Sequence, residues 1–539
     1  MKLSYEGLKK DAALWQEKGF IIPTHDIERM KENTKAAPEW MHIGAGNIFR
    51  GYVARLADDL LEQGLMSTGI FAAECFSREP IEKMLIPYDD LMLFVGLRAR
   101  GDKYLRIIGS IADAEAAAGE GFERLKAAAR SSSLQMISFT ITEKGYATHD
   151  MNGNVLEGAA RDIENGTEGD LSSAMGKTAS LLYERFRAGA APIALVSMDN
   201  CSANGEKLRA GVMFIVNGWH KNGFVPAGFV KYVSDTSKVS FPWSMIDKIT
   251  PRPDAGVGRE LADMGIEGMA PMETGIGTFI APFVNAEMPE YLVIEDSFPN
   301  GRPPLEKAGV YITGRDTVNK AERMKVMTCL NPLHTALAVT GCLLGFGKIS
   351  EEMADEDLKK LVYGLGYKEG LPVVTDPGII RPEDFLKEVL EERLPNPSLP
   401  DTPQRIATDT SQKIPIRFGE TIKAHEEKGD SGTLELIPFV TAAWLRYLLG
   451  TDDKGEPFAP SPDPLLEELT ERLSPLHFGA PLTEEGERAV NGILSNPALF
   501  GTDLTKNGLA PKVTAYLREM LCAGGVRKTL KKALDNAGA

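Results

Sequence analysis

MHIGAGNIFRGYVARLADDLLEQG, Met41 to Gly64, reads as a strand, a tight turn and a helix. The strand ends at Gly44, the turn runs through Ala45, Gly46 and Asn47, and the helix begins near Ile48 with its free N–H groups facing the turn. Glycine lets a backbone approach a pyrophosphate closely, and a helix N-terminus attracts its negative charge. Gly44, Ala45, Gly46, Asn47 and Ile48 are therefore candidate dinucleotide-binding residues. An acid at the end of the second strand would hold the ribose hydroxyls of NAD, and Glu74 in GIFAAE stands about where that acid belongs. The third glycine of the usual fingerprint is absent, Phe49 falling in its place, so the same residues also read as an ordinary strand-turn-helix and Glu74 as an exposed strand-end carboxylate.

Outward from this turn, GIFAAE (Gly69 to Glu74), LRIIGSI (Leu105 to Ile111), LQMISFTI (Leu134 to Ile141) and IALVSMD (Ile193 to Asp199) alternate with helical stretches. Short apolar runs separated by helices predict a mostly parallel sheet covered on both faces, a doubly wound α/β domain. After about residue 305 the apolar residues take helical spacing, as in HTALAVTGCLLGFG and PFVTAAWLRYLLG, so a mainly α-helical domain is expected there. The Pro- and Gly-rich stretch DSFPNGRPPLEKAG, Asp296 to Gly309, places the boundary. The expected organisation is a helical extension over 1–36, a Rossmann-type domain over 37–305 and a helical substrate domain over 306–539. A chain of 539 residues is long enough for two large domains.

Sixty Lys and Arg against 76 Asp and Glu leave a formal charge of -16, which argues against a nucleic-acid partner. An anionic substrate would need this field reversed locally, so cations near a site carry extra information. The five cysteines show no zinc-knuckle or redox spacing, and free thiols in a reducing compartment are the simplest reading. No apolar run of the chain approaches a membrane span and the first residues lack a signal-peptide core, so a cytoplasmic protein without a membrane partner is expected. No metal site is expected.

The second chemical constellation is ERMKVMTCLNPLHTALAVTG, Glu322 to Gly341, with Lys325, Asn331 and His334 within ten residues. Asn331 before Pro332 suits a helix N-cap followed by proline at the first helical position, with the helix running to about Gly345. Lys325 would close a preceding helix, three residues after Glu322 and on the same face. Unaided, these residues also read as a capped helix with a surface lysine and a satisfied histidine.

The order GAGNIFR, SFTITEKGY (Ser138 to Tyr146), MDNCSANG (Met198 to Gly205), FPWSMIDKITP (Phe241 to Pro251), VIEDSFPNGRP (Val293 to Pro303), KVMTCLNPLH and SQKIPIR (Ser411 to Arg417) resembles the mannitol dehydrogenase family of long-chain, polyol-specific dehydrogenases. The resemblance runs from about residue 40 to 450. It implies a Rossmann-type domain followed by a helical domain, an active site in the cleft between them, and metal-independent hydride transfer between NAD, or NADP, and a sugar acid or sugar alcohol. A secondary alcohol releases hydride only if its hydroxyl proton is taken in concert. Lys325 matches the family's lysine base, which must be neutral to act, a state that burial favours. Asn200 and Asn331 match the amides that donate to the developing alkoxide. His334 matches the histidine that orients the substrate, and Glu322 the acid that conducts the proton away. Asp247 matches a motif carboxylate near the site and is grouped with the cofactor side.

One spacing departs from the family's pattern. Lys325 precedes Asn331 by six residues and His334 by nine, where the family has five and eight. At about 100° per residue an unbroken helix would put Lys325 and His334 on opposite sides. The spacing therefore predicts that the extra residue is absorbed in the turn before Asn331 or in a π-type bulge.

SQKIPIR supplies Lys413 and Arg417, which would hold a carboxylate; as isolated residues they also read as surface cations. Its form is closer to the family's hexuronate reductases, so interconversion of D-mannonate and D-fructuronate is expected. Oxidation of mannitol stands second and reduction of tagaturonate third. A non-catalytic nucleotide-binding relative is the alternative from another class, and a sugar-phosphate dehydrogenase lacks a locatable phosphate cluster. Oligomeric state stays open.

Overall fold

The computed structural model describes residues 1–150 and 152–539. The chain divides into two compact units, one comprising Met1–Leu97 and Asp102–Val318, the other Arg98–Gly101 and Asn319–Ala539.

The first unit is built on six parallel strands: β1 (Trp40–Ile43), β2 (Ile70–Glu74), β3 (Ile111–Ala116), β4 (Met136–Phe139), β5 (Ile193–Ser197) and β6 (Val239–Ser240). Their order, β3-β2-β1-β4-β5-β6, is that of a doubly wound nucleotide-binding sheet. Both faces are covered, which is why the strands read as apolar runs. Alternate residues of β1 serve opposite faces: Met41 and Ile43 join the cluster that includes Leu181, Val212 and Trp219, while Trp40 joins Phe49, Leu56 and Leu60.

His42 is fully buried, with Nδ1 2.6 Å from Ser138 Oγ and Nε2 2.9 Å from Thr140 Oγ1, and its ring stacks on Phe49. Burial pushes its pKa down to about 3. Because the folded value lies below the unfolded one, the unfolded chain binds the extra proton between about pH 6.5 and 3. The stability from this site is complete above pH 6.5 and is lost as the pH falls, by roughly 1.4 kcal/mol per unit or about 2 kcal/mol by pH 5. Urea titrations of the wild type and H42Q at pH 7, 6 and 5 should show the wild type losing the larger share. Parallel pH dependences would contradict this.

One departure from the sequence-based expectation concerns the strands of this unit. LRIIGSI is two strands: Lys103–Ile108 pairs antiparallel with Met92–Leu97 in a separate four-stranded sheet, and β3 begins at Ile111. The break is fixed by Asp58, which accepts from the Gly109 N–H, and by Ser110, whose hydroxyl donates to the Ala54 carbonyl. Residues 1–36, mostly helical, pack onto this unit: Phe20–Ile21 adds to that four-stranded sheet and Trp15 is fully buried in the core beneath it. By packing, the first unit runs on to Val318, and Tyr311–Thr313 pairs with Tyr291–Glu295 within it.

The second unit is helical. Its residues from 319 to 344 belong to the 30-residue helix Arg315–Leu344, apolar and long enough by composition to cross a membrane, contrary to the sequence reading; 78% of its most apolar window is buried inside the protein, as in a core helix. Within it the π-helical turn Lys325–Cys329 joins Arg315–Met324 to Asn331–Leu344. The Leu330 N–H donates to the Lys325 carbonyl five residues back at 3.1 Å, and α-type bonding resumes where His334 donates to Leu330. This turn takes up the extra residue. The helix stops at Gly345, whose φ of 79° is left-handed. Asn331 is the first helical residue, not the cap, and no side chain caps this N-terminus.

Candidate functional site

The sites divide between the units. In the first, Gly44 has φ +108°, and a Cβ there would stand 2.2 Å from the Thr140 carbonyl, so only glycine lets β1 turn this close to β4. Gly46 is exposed, with open space where a side chain would point. The helix after the turn opens with a π-helical stretch, Phe49–Val53. Phe49 can replace the third glycine because its ring goes into the core against His42. The close-packing glycine is Gly51, where a Cβ would meet Val284 Cγ1 at 2.7 Å. Asn47 donates from Nδ2 to the Pro251 carbonyl at 3.0 Å and accepts from Arg50, whose buried guanidinium also donates to the Ala281 carbonyl at 2.7 Å. Burial holds Arg50 down at about 10.

Glu74 ends β2 with its carboxylate turned back to the loop: Oε2 accepts from the Ala45 N–H at 3.1 Å and Oε1 from the N–H groups of Cys75 and Phe76. A glycine turn, open space at Gly46 and a strand-end acid fit the diphosphate and ribose of NAD.

At the neighbouring strand ends, the Asp199 carboxylate accepts from the backbone of Ile141 and Thr142 and from the Tyr146 hydroxyl. These bonds hold Thr142, a β-branched residue, at φ 63°, a backbone state such residues rarely adopt. The SFTITEKGY and MDN motifs are thereby knitted together, and Asn200 follows Asp199 as an exposed residue beyond β5. Burial raises the pKa of Asp199 and takes the Tyr146 phenol well above its ordinary value. Asp247 is buried at the end of Ser244–Asp247, a strand antiparallel to Tyr291–Glu295.

In the second unit Lys325 is 2% exposed and opens the π turn, one residue after the helix that carries half-buried Glu322. The Thr421 hydroxyl donates to the Met327 carbonyl inside that turn. His334, on the first turn of the following helix, is pushed down to about 4 by burial, with Asp401 pulling the other way and Arg417, Arg405 and Arg393 adding to the lowering. It is neutral at pH 7, so the 3.6 Å approach of its Nε2 to Asp401 is not an ion pair. That nitrogen has no hydrogen-bond partner among the described residues. Asp401 itself pairs with Arg405.

Arg417 reaches the same helix, donating from Nη1 to Thr335 Oγ1 at 2.6 Å and to the Asn331 carbonyl at 3.4 Å. Burial lowers its pKa to about 10, and among the described residues no carboxylate stands within ion-pair distance of it. Lys413 differs: its amine donates to the carbonyls of Ile406 and Thr408 at the end of helix Pro403–Ile406. Burial, helped by Arg417, brings it down to about 8. The structure thus gathers Lys325, Asn331, His334 and Arg417 around one helix junction. Asp401, Arg405 and Arg393 were missed in the sequence; the only local signal is the i, i+4 pair of Asp401 and Arg405 at the start of a Pro-initiated helix.

Comparison with known proteins agrees with this architecture. Residues 38–307 match the mannitol dehydrogenase Rossmann domain and residues 317–521 the mannitol dehydrogenase C-terminal domain. The chain is 51% identical to a D-mannonate oxidoreductase of Thermotoga maritima, covering 99% of both chains. It is 28% identical to a mannitol 2-dehydrogenase of Pyricularia oryzae, again over 99% of each. Among solved structures, the Pseudomonas fluorescens mannitol 2-dehydrogenase in ternary complex with NAD and D-mannitol is 26% identical, with a TM-score of 0.70 over 99% of this chain and 100% of that one. The two matched domains together span most of its length, and the chain belongs to the mannitol dehydrogenase family of oxidoreductases.

Proposed function

We propose that the chain interconverts D-mannonate and D-fructuronate with NAD, using Lys325 as the general base. The observation that carries the choice of a sugar acid is Arg417. A buried guanidinium without a carboxylate partner is costly, and a substrate carboxylate beside Asn331 and Thr335 would satisfy it with charge-assisted hydrogen bonds. The 51% identity to a D-mannonate oxidoreductase supports the same reading. Glu74 favours NAD over NADP, because a carboxylate accepts from ribose hydroxyls and repels a 2′-phosphate.

Bound NAD supplies the hydride acceptor. The side chains do the rest: Lys325, as the free amine, takes the hydroxyl proton, and Glu322, one helical turn back, passes it toward solvent. Asn200 and Asn331 donate to the oxygen as it gains charge. His334, neutral and with no hydrogen-bond partner for Nε2 among the described residues, orients a substrate hydroxyl. Fructuronate supplied with NADH should give mannonate, one equivalent per NADH consumed, as identified by chromatography. Turnover of tagaturonate to altronate with fructuronate untouched would reject the assignment.

Chelators should leave the activity unchanged. The proton acceptor is an amine, and among the described residues no three His, Cys, Asp or Glu side chains converge on a metal position. Inactivation by EDTA, reversed by zinc, would contradict the lysine mechanism.

A further inference from the structure

Two short strands of the first unit, Met272–Glu273 and Phe279–Ile280, pair with each other and, among the described residues, form a hairpin outside the three larger sheets. Its tip is tied to the loop that follows Glu74: the Gly275 N–H donates to Glu79 Oε1 at 2.8 Å. Its other end is tied to the glycine turn. Arg252 lies over the Phe279 ring, 5.3 Å from the centroid, and the preceding Pro251 carbonyl is the one that accepts from Asn47. The hairpin therefore runs between the turn fitted to a diphosphate and the acid fitted to a ribose.

Its chemistry is unusual for a surface. Ile276 is 64% exposed, Phe279 and Met272 each 38%, and Phe76, two residues beyond Glu74, 55%. Three of these four lie on the one hairpin, and exposed apolar side chains that stand together, unlike scattered single ones, mark a binding site. Arg252 is exposed and, among the described residues, has no acidic partner, in a protein whose net charge is -16.

We propose that this hairpin is a strap over the adenosine diphosphate half of the dinucleotide, with Arg252 meeting the phosphates and Phe76 and Ile276 flanking the adenine. The proposal rests on the nucleotide reading above and adds to it residues outside the glycine turn. A cation stacked on Phe279 next to the turn is placed for an anion, and the adenine faces supply the apolar surface that the hairpin and Phe76 lack.

Hydrogen exchange and calorimetry on the full chain test this with ADP-ribose and NAD. Saturation with ADP-ribose should slow amide exchange across residues 272–280. Arg252→Ala should weaken ADP-ribose and NAD roughly tenfold, as expected for one charge-assisted contact, and Ile276→Ser should weaken both by several-fold. Unchanged exchange in the saturated wild type, or wild-type affinity in Arg252→Ala, would overturn the strap while leaving the glycine-turn site standing. A wild-type chain that binds neither ligand would overturn the nucleotide reading and the strap with it.

Discussion

Replacing Lys325 by alanine should lower turnover by about 100-fold or more while NAD affinity stays within about twofold, because a lost general base affects the substrate proton and not the cofactor. The structure gives this lysine its distinction. Lys320, the other lysine of the helix, lies within the regular α-helical stretch Arg315–Met324, whereas Lys325 is 2% exposed and opens the π turn that leads to Asn331 and His334. Because the π turn takes up the one residue by which this chain exceeds the family's spacing, removing one residue from 326–329 should turn it into regular α-helix and leave the amine and the histidine aligned, with activity largely kept. Steady-state rates with mannonate, alongside fluorescence titration of NADH, separate the two effects. Near-normal turnover in K325A would make Lys320 the next base to test.

The second large effect is expected at Arg417. Truncating a cation that binds a carboxylate should cost about 1.5 to 3 kcal/mol, or roughly 10- to 150-fold in kcat/KM. The loss should fall on mannonate and spare mannitol, which has no carboxylate. Arg417 also donates to Thr335, so R417A removes a structural bond as well; the comparison between the two substrates isolates the charge. For Lys413 the expected loss on mannonate is smaller, because its amine is spent on the carbonyls of Ile406 and Thr408. Raised salt should weaken mannonate binding in the wild type. Equal losses on the acid and the alcohol in R417A would remove this residue from the carboxylate site.

What was legible in the chain was local. The glycine turn after β1 and the helix end at Gly345 follow from residue types whose backbone preferences are strong, and both lie within a residue or two of their expected places. The spacing of Lys325, Asn331 and His334 even required an irregularity, which the π turn supplies. What was hidden depended on distant packing. Phe49 could replace a glycine only because His42 offered a ring to stack on. LRIIGSI broke in two because Asp58, some fifty residues earlier, captured the Gly109 amide. Arg417 and Lys413, four residues apart, look alike in the sequence; one meets the Asn331 helix and the other the end of a short helix, and no local pattern separates them. Asp401 comes to 3.6 Å from His334 from another segment, a proximity that spacing along the chain does not encode.

The catalytic efficiencies of the wild-type chain for mannonate, altronate and mannitol, each with NAD and followed by nicotinamide absorbance, test the central claim most directly. Mannonate should exceed mannitol by at least the roughly 10-fold that one buried cation confers, with altronate below mannonate. A chain that prefers mannitol, or that leaves mannonate unoxidised while turning over another polyol, would contradict it.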